Sequence, residues 1–271
     1  MAFDLPTYLD RIGLAACPPT AAGLAALQRA QLSSIPFENI DPFTGTVPDL
    51  ALDAIWTKLV LSGRGGYCFE LNALLGEALQ AVGFDARPVL VRVRMGAPVG
   101  SARAHLAWIV RLDGHDRYVD VGFGGPGALE PLTLVADTEQ DAPNARYRFR
   151  PDHATAELVL ERWSGGEWFA LHGVNEDPFT PADVHAANFL CARWPEFSFV
   201  GNLLMSRHGP DGQTTLMNRA ARLVAPDGVR AWTIESRDEL GALISGPFGI
   251  DCDAATVDAL WGRLQGVGTA V

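Results

Sequence analysis

Arg64-Gly65-Gly66-Tyr67-Cys68-Phe69-Glu70-Leu71-Asn72 puts a cysteine where a glycine pair runs into a helix. Beyond it Leu71, Leu74, Leu75, Ala78, Leu79 and Val82 recur at helical spacing, which predicts a helix that ends near Gly83. Cys68 therefore stands at or near a helix N-terminus, where partial positive charge favours a thiolate. Two residues downstream complete a nucleophile, base and orienter set in chain order: His105 in Ala104-His105-Leu106-Ala107-Trp108, and Asp120 in Tyr118-Val119-Asp120-Val121-Gly122-Phe123-Gly124-Gly125.

The spacing of His105 and Asp120 supports that set. Residues 105–112 and 117–123 read as strands joined around Asp113-Gly114, and an even-length loop turns positions 105 and 120 to one face. A turn centred on Leu112-Asp113 makes them direct partners. One centred on Asp113-Gly114 makes them diagonal neighbours, still within reach of each other. The bland readings are a core histidine and a strand-end aspartate, but a carboxylate between Val119 and Val121 is costly to bury alone. Glu38 and Arg64 invite an ion pair that would fix the cysteine turn, although two solvated charges would read the same way.

Working outward, the first ~85 residues read as helical. Thr20 can cap a run through Leu24 and Leu27, and Asp53 can cap another carrying Ile55, Leu59 and Val60. From Arg87 the period changes to strands: 89–94, 105–112, 117–123, 147–150, 157–163 and 168–171, with a hairpin at Gly165-Gly166. That middle section reads as an antiparallel sheet or small barrel. After Pro178 the pattern mixes. A helix starts at Thr180-Pro181, strands fit 203–206 and 231–235, and a last helix from Asp253 buries Val257, Leu260, Trp261 and Leu264.

Composition narrows the class. Net charge is −11 and Lys58 is the only lysine, so nucleic-acid binding is excluded as a leading idea. An anionic ligand would have to rely on local backbone donors or a few arginines. No run approaches the ~18 apolar residues of a membrane span. The N-terminal residues lack a signal-peptide pattern, so a cytoplasmic location is the default expectation. Cys17, Cys68, Cys191 and Cys252 form no Cys-x-x-Cys pair, and the six histidines show no metal-binding spacing. Free thiols in a reducing compartment are expected, with no metal, and Cys17, Cys191 and Cys252 are expected to be apolar fillers. Gly122-Phe123-Gly124-Gly125-Pro126-Gly127 matches G-x-G-x-x-G, but no βαβ unit surrounds it, so a dinucleotide fold is rejected. It reads either as a loop of backbone N–H groups suited to an anionic cofactor or as an ordinary glycine turn.

The Arg-Gly-Gly-Tyr-Cys-Phe-Glu block, Ile35-Pro36-Phe37-Glu38-Asn39-Ile40, the Asp-Val-Gly-Phe-Gly-Gly block at 120–125 and the stretch from Asn188-Phe189-Leu190 through Trp194-Pro195 to Phe199 resemble the arylamine N-acetyltransferase family over essentially the whole chain. The resemblance implies an α+β fold with a cysteine-protease-like Cys-His-Asp core. Its parts are a helical bundle (1–85) with the nucleophile, a β-barrel (86–190) with His105 and Asp120, and an α/β lid (191–271). It implies acetyl transfer from acetyl-coenzyme A to an aromatic amine or hydrazine through a thioester on Cys68. It places Phe37, Val93, Phe123 and Phe199 around the acceptor, and Ala104, Gly124 and Gly125 at coenzyme A. The family usually has Thr before the histidine, so Ala104 removes any hydroxyl contact there. A homodimer is left open. Rival readings are an amide synthase that releases a polyketide onto an aryl amine, a cysteine hydrolase or transglutaminase, and a coenzyme A-binding scaffold with a dead triad.

Overall fold

The apolar spacing after the glycine pair does produce a helix, Cys68–Val82, ended by Gly83 in the left-handed region at φ 93°. The computed structural model describes residues 3–266. Helix Ala21–Ser34 begins where Thr20 accepts from the Gly23 N–H at 3.2 Å, and Ala254–Leu264 begins where Asp253 accepts from Thr256 N at 2.7 Å. Helix Pro181–Arg193 starts at the expected Thr180-Pro181. The Asp53 cap is corrected. That helix already begins at Leu52, so Asp53 sits inside its first turn, and after Trp56 it widens into a π-helical turn, Thr57–Leu61. Helices Leu5–Arg11 and Arg237–Ser245 were not anticipated.

Eight antiparallel strands form the middle sheet. Its order in space is Leu132–Thr133, His115–Val119, Arg103–Leu112, Asp85–Val93, Glu167–Val174, Glu157–Ser164, Ala145–Asp152 and Gln140–Ala142. Its two ends nearly meet. The Gln140 side chain accepts from Thr133 N and donates to Thr133 O, at 2.7 and 2.8 Å, substituting for a backbone ladder between the outer strands. The sheet thus curls into the expected barrel. The turn at Asp113-Gly114 has two residues, both at positive φ (51° and 77°), with Leu112 opposite His115. The second strand is shorter than expected and ends at Val119, leaving Asp120 to open a loop.

A second sheet follows the order Phe37–Glu38, Leu204–Gly209, Gly212–Met217, Ala220–Ala225 and Gly228–Thr233. Its first strand comes from the residues that precede the nucleophile, so the C-terminal sheet is pinned to the cysteine turn. Among the described residues three buried apolar clusters result. One lies around the nucleophile helix, one inside the barrel, and one between the second sheet and the last two helices.

Candidate active site

The turn that presents Cys68 is fixed from three sides. Gly66 N donates to Pro36 O at 3.3 Å and Glu38 N donates to Gly66 O at 2.9 Å, a strand-like bridge. Neither glycine of the pair has positive φ. They are needed for close approach: a Cβ on Gly65 would run into the Pro36 carbonyl, and one on Gly66 would lie 2.9 Å from Glu70 Oε2. Arg64 and Glu38 do pair, with Nε and Nη2 donating to Oε1 at 3.1 and 2.6 Å. Lys58 joins Asp41 and Glu70, 2.7 Å from each. Glu70 reaches back to the Tyr67 N–H at 3.1 Å, capping the helix that Cys68 begins. Burial pushes the Glu70 carboxyl up to about 7 against the pull of Lys58.

The register of the 103–112 and 115–119 strands sets Trp108 opposite Val119, so His105 and Asp120 are diagonal rather than direct neighbours. His105 Nε2 lies 2.7 Å from Asp120 Oδ2, with both side chains buried. Asp120 accepts three further hydrogen bonds. Asn72 Nδ2 (3.0 Å) and Gly122 N (2.9 Å) donate to Oδ1, and the Tyr118 hydroxyl (3.3 Å) reaches Oδ2. Burial alone would raise this carboxyl's pKa. The adjacent His105, His172 and Asn72 outweigh it and hold Asp120 well below the usual carboxylate range. With Nε2 turned to Asp120, Nδ1 is the imidazole nitrogen left to take a proton.

Behind this pair lies a third group that the sequence did not reveal. His172 stacks on His105 with ring centroids 5.0 Å apart, and its Nδ1 is 3.0 Å from the Tyr118 hydroxyl. Burial, helped by His105, pushes the His172 pKa down to about 3, so this ring is neutral. If Tyr118 donated to His172, two oxygens would face each other at 3.3 Å without a proton between them. The arrangement that uses every proton runs from His172 Nδ1–H to Tyr118 O–H to Asp120. One donor atom each of His105, Asp120 and His172 lies within 4.8 Å of the others, but these atoms are already joined through the hydrogen bonds just described.

Cys68 is 2% exposed, and its Sγ donates to Ala104 O at 3.9 Å. Burial pushes this thiol well above its ordinary value. Cys191 and Asp120 act in the same direction, while the N–H groups of Leu106 and Phe69 act against it. The helix terminus does not, therefore, leave a free-standing thiolate. Charge on Sγ needs a proton acceptor beside it, and His105 opens on the same cavity.

That cavity has a volume of about 800 Å³ and holds all the expected contact residues together. Phe37, Val93, Phe123 and Phe199 form part of its wall with Cys68 and His105, as do Ala104, Gly124 and Gly125. Asp120 is not on the wall; it stands behind His105. The cavity also runs on past Met205, Leu216, Ala221 and Arg222 of the second sheet, and Cys191 lines it too. None of these was anticipated. Gly122 and Gly124 have steric roles as well. A Cβ on Gly122 would lie 2.7 Å from Cys68 Cα, and Gly124, at φ 70°, packs against the Phe37 ring.

A family model described as N-acetyltransferase matches residues 20–257. An arylamine N-acetyltransferase / N-hydroxyarylamine O-acetyltransferase of Salmonella typhimurium is 38% identical over 74% of this chain and 71% of its own length. An arylamine N-acetyltransferase of Mycolicibacterium smegmatis is 35% identical over 93% of each chain. The structure of Mycobacterium marinum arylamine N-acetyltransferase in complex with CoA superposes with a TM-score of 0.89 at 31% identity, over 97% of this chain and 99% of that one.

Proposed function

The chain belongs to the arylamine N-acetyltransferase family, and from that premise we propose that Cys68 carries the acetyl group from acetyl-coenzyme A to an aromatic amine or hydrazine. The observation that carries this reading is the placement of the Cys68 thiol and the His105 imidazole on a single cavity wall, with a buried carboxylate on the far imidazole nitrogen.

The chemistry follows from the protonation states. The Cys68 proton passes to His105 Nδ1 as Sγ attacks the thioester carbonyl. The imidazolium that forms is stabilised by Asp120, and the pair of opposite charges replaces an unfavourable buried thiolate. Coenzyme A departs as a thiol, taking that proton. Exchange of one thioester for another is close to thermoneutral, so the first half-reaction is freely reversible, whereas the second, which turns a thioester into an amide, runs downhill. An aromatic amine, neutral at pH 7, then attacks the acetyl-cysteine, and His105 removes its proton. The backbone N–H of Cys68, at the helix start, is the oxyanion donor in this reading. Phe37, Val93, Phe123 and Phe199 give the aryl ring an apolar wall. Gly124 and Gly125 offer backbone to coenzyme A, and at Ala104 there is no hydroxyl to add to that contact.

Mass spectrometry after mixing with acetyl-coenzyme A alone should find one acetyl group, on the Cys68 peptide. Initial rates should give parallel double-reciprocal lines. An adduct on Cys17, Cys191 or Cys252, or intersecting lines with no release of coenzyme A before amine is added, would overturn the reading.

A further inference from the structure

The mechanism uses one thiol, yet the cavity wall carries two. Cys191 sits on the buried side of helix Pro181–Arg193, 1% exposed, and its Sγ donates to Ala104 O at 3.5 Å. Cys68 Sγ donates to the same oxygen at 3.9 Å. Two sulfurs on one carbonyl can be no farther apart than those two legs together, and both line the same cavity. The helix that carries Cys191 is also tied to the nucleophile turn, because the Tyr67 hydroxyl bonds the Asn188 side chain one turn earlier. Cys17 and Cys252 line no part of this cavity. Cys17 donates instead to Gly23 O at 3.4 Å, and Cys252 borders a separate charged cleft.

We propose that Cys68 and Cys191 form a dithiol site in the acyl cavity, closed to a disulfide by a hydroperoxide and reopened by a small thiol. This rests on the reading of Cys68 as the thiol that His105 deprotonates. The order of events follows from the two environments. Burial alone pushes Cys191 up to about 12, and no imidazole is hydrogen-bonded to it, so it stays a thiol while Cys68 reacts first. The Cys68 thiolate attacks the peroxide. An S–O bond forms, the O–O bond breaks, sulfur loses two electrons, and the departing alkoxide takes the proton held by His105. The product is a sulfenic acid on Cys68. Cys191 sulfur then attacks the Cys68 sulfur. An S–S bond forms, the S–O bond breaks, and hydroxide leaves with the Cys191 proton as water. Reduction consumes two equivalents of thiol, the first forming a mixed disulfide and the second releasing it. Shared anchoring on Ala104 O matters because it holds both thiols at one spot of the cavity wall, from which closure has to bring the sulfurs to about 2.05 Å.

The consequence is protection. Without a second thiol a sulfenic acid is oxidised further to sulfinate, which small thiols do not reverse. The test treats the full chain with tert-butyl hydroperoxide, digests it without reductant and looks for the Cys68 peptide joined to the Cys191 peptide with the loss of two hydrogens. Activity, normalised to each protein's untreated rate, should return with dithiothreitol. Cys191→Ser, with Cys191→Ala as a second variant, should form no cross-link, gain two oxygens on Cys68 and lose its recoverable activity. Prior incubation with acetyl-coenzyme A should block the cross-link, since the nucleophile is then acylated. Cys68 sulfinate in the parent protein with no joined peptide overturns the dithiol site. A cross-link in a protein whose Cys68 never becomes acetylated would leave the dithiol standing and overturn the acyl-transfer reading instead.

Discussion

Asp120→Asn tests how the site holds its protons. The carboxylate accepts four hydrogen bonds, two on each oxygen. Asn72 Nδ2 and Gly122 N both donate to Oδ1, so an amide introduced here keeps its carbonyl on that side and turns its NH₂ toward His105 Nε2 and Tyr118. An NH₂ group donates where Asp120 accepted. The imidazole must then carry its proton on Nδ1, the nitrogen that has to take the Cys68 proton. The negative charge beside the imidazolium is lost as well. By analogy with serine triads, where this substitution fixes the wrong tautomer, the loss of turnover is ~10⁴-fold, equivalent to about 5 kcal/mol of barrier. Stability should change far less, because the amide is nearly isosteric and three of its neighbours can still be satisfied. Since burial holds the Cys68 thiol up, losing its proton acceptor should raise its apparent pKa further. The assay is the pH dependence of iodoacetamide alkylation, read on the Cys68 peptide in parent and variant, beside acetyl transfer. If the two alkylation profiles overlay and transfer persists, Asp120 only ends a strand and the relay is wrong.

Tyr118→Phe removes one donor from Asp120 and should lower kcat/KM roughly tenfold, about 1.4 kcal/mol, with the fold intact by circular dichroism; unchanged kinetics would show that the hydroxyl serves His172 instead. His172 gives a pH signature. Its pKa in the fold is about 3 against 6.5 for the ordinary residue, so the unfolded chain binds more protons between those values. Its contribution is complete above pH 6.5 and declines as pH falls toward 3, reaching a loss of about 2 kcal/mol at pH 5. Urea unfolding between pH 7.5 and 5 should therefore show a shallower fall in His172→Phe than in the parent, and parallel curves would contradict a buried neutral ring. Gly122→Ala would place a methyl 2.5 Å from Asn72 Nδ2 and 2.7 Å from Cys68 Cα. Because the loop must move, and with it Asp120, a folded variant should lose ~10²-fold in rate; full activity would mean that the contact yields without cost.

What was readable in advance was set by short sequence distance. Cys68 and its helix follow from one glycine pair and one apolar stripe, and the shared face of His105 and Asp120 follows from a short even-length turn; that they are diagonal and not direct neighbours is set by the turn at Asp113-Gly114, one of the two registers the sequence left open. Two missed residues left signals of the same local kind. Asn72 is four positions after Cys68, hence on its helix face, and its amide binds Leu106 O, Asp120 and the Val121 N–H. Tyr118 is two positions before Asp120, hence on its strand face. His172 left none. It arrives through the pairing of Glu167–Val174 with Asp85–Val93, 52 residues beyond Asp120, and nothing in its neighbourhood marks it as part of the site. Cys191 lies inside the stretch from Asn188 to Phe199 that already stood out, but as a cysteine among apolar residues it read as a filler and not as a wall of the cavity. The strands Gly212–Met217 and Ala220–Ala225 were missed for another reason: Gln213, Thr214 and Thr215 dilute the apolar pattern of the first and Arg222 interrupts that of the second, though these strands wall the far end of the cavity.

The glycine loop shows how one motif can satisfy two demands. Read as sequence, Gly122 to Gly127 suggested exposed N–H groups for an anion, or a plain turn. In the fold the Gly122 N–H is spent on Asp120 Oδ1, and the missing side chains at 122 and 124 let the loop lie against Cys68 and Phe37. Gly125 differs. Its nearest contact for an added Cβ is the Phe123 ring at 3.1 Å, with no backbone in the way, and it has no positive φ. Tight packing therefore accounts for Gly122 and Gly124 without any ligand, whereas it accounts for Gly125 only weakly. If backbone approach by coenzyme A constrains this loop, the constraint should fall on Gly125. Gly125→Ala should then raise KM for acetyl-coenzyme A while leaving alkylation of Cys68 unchanged, and an unaltered KM would assign the whole loop to packing.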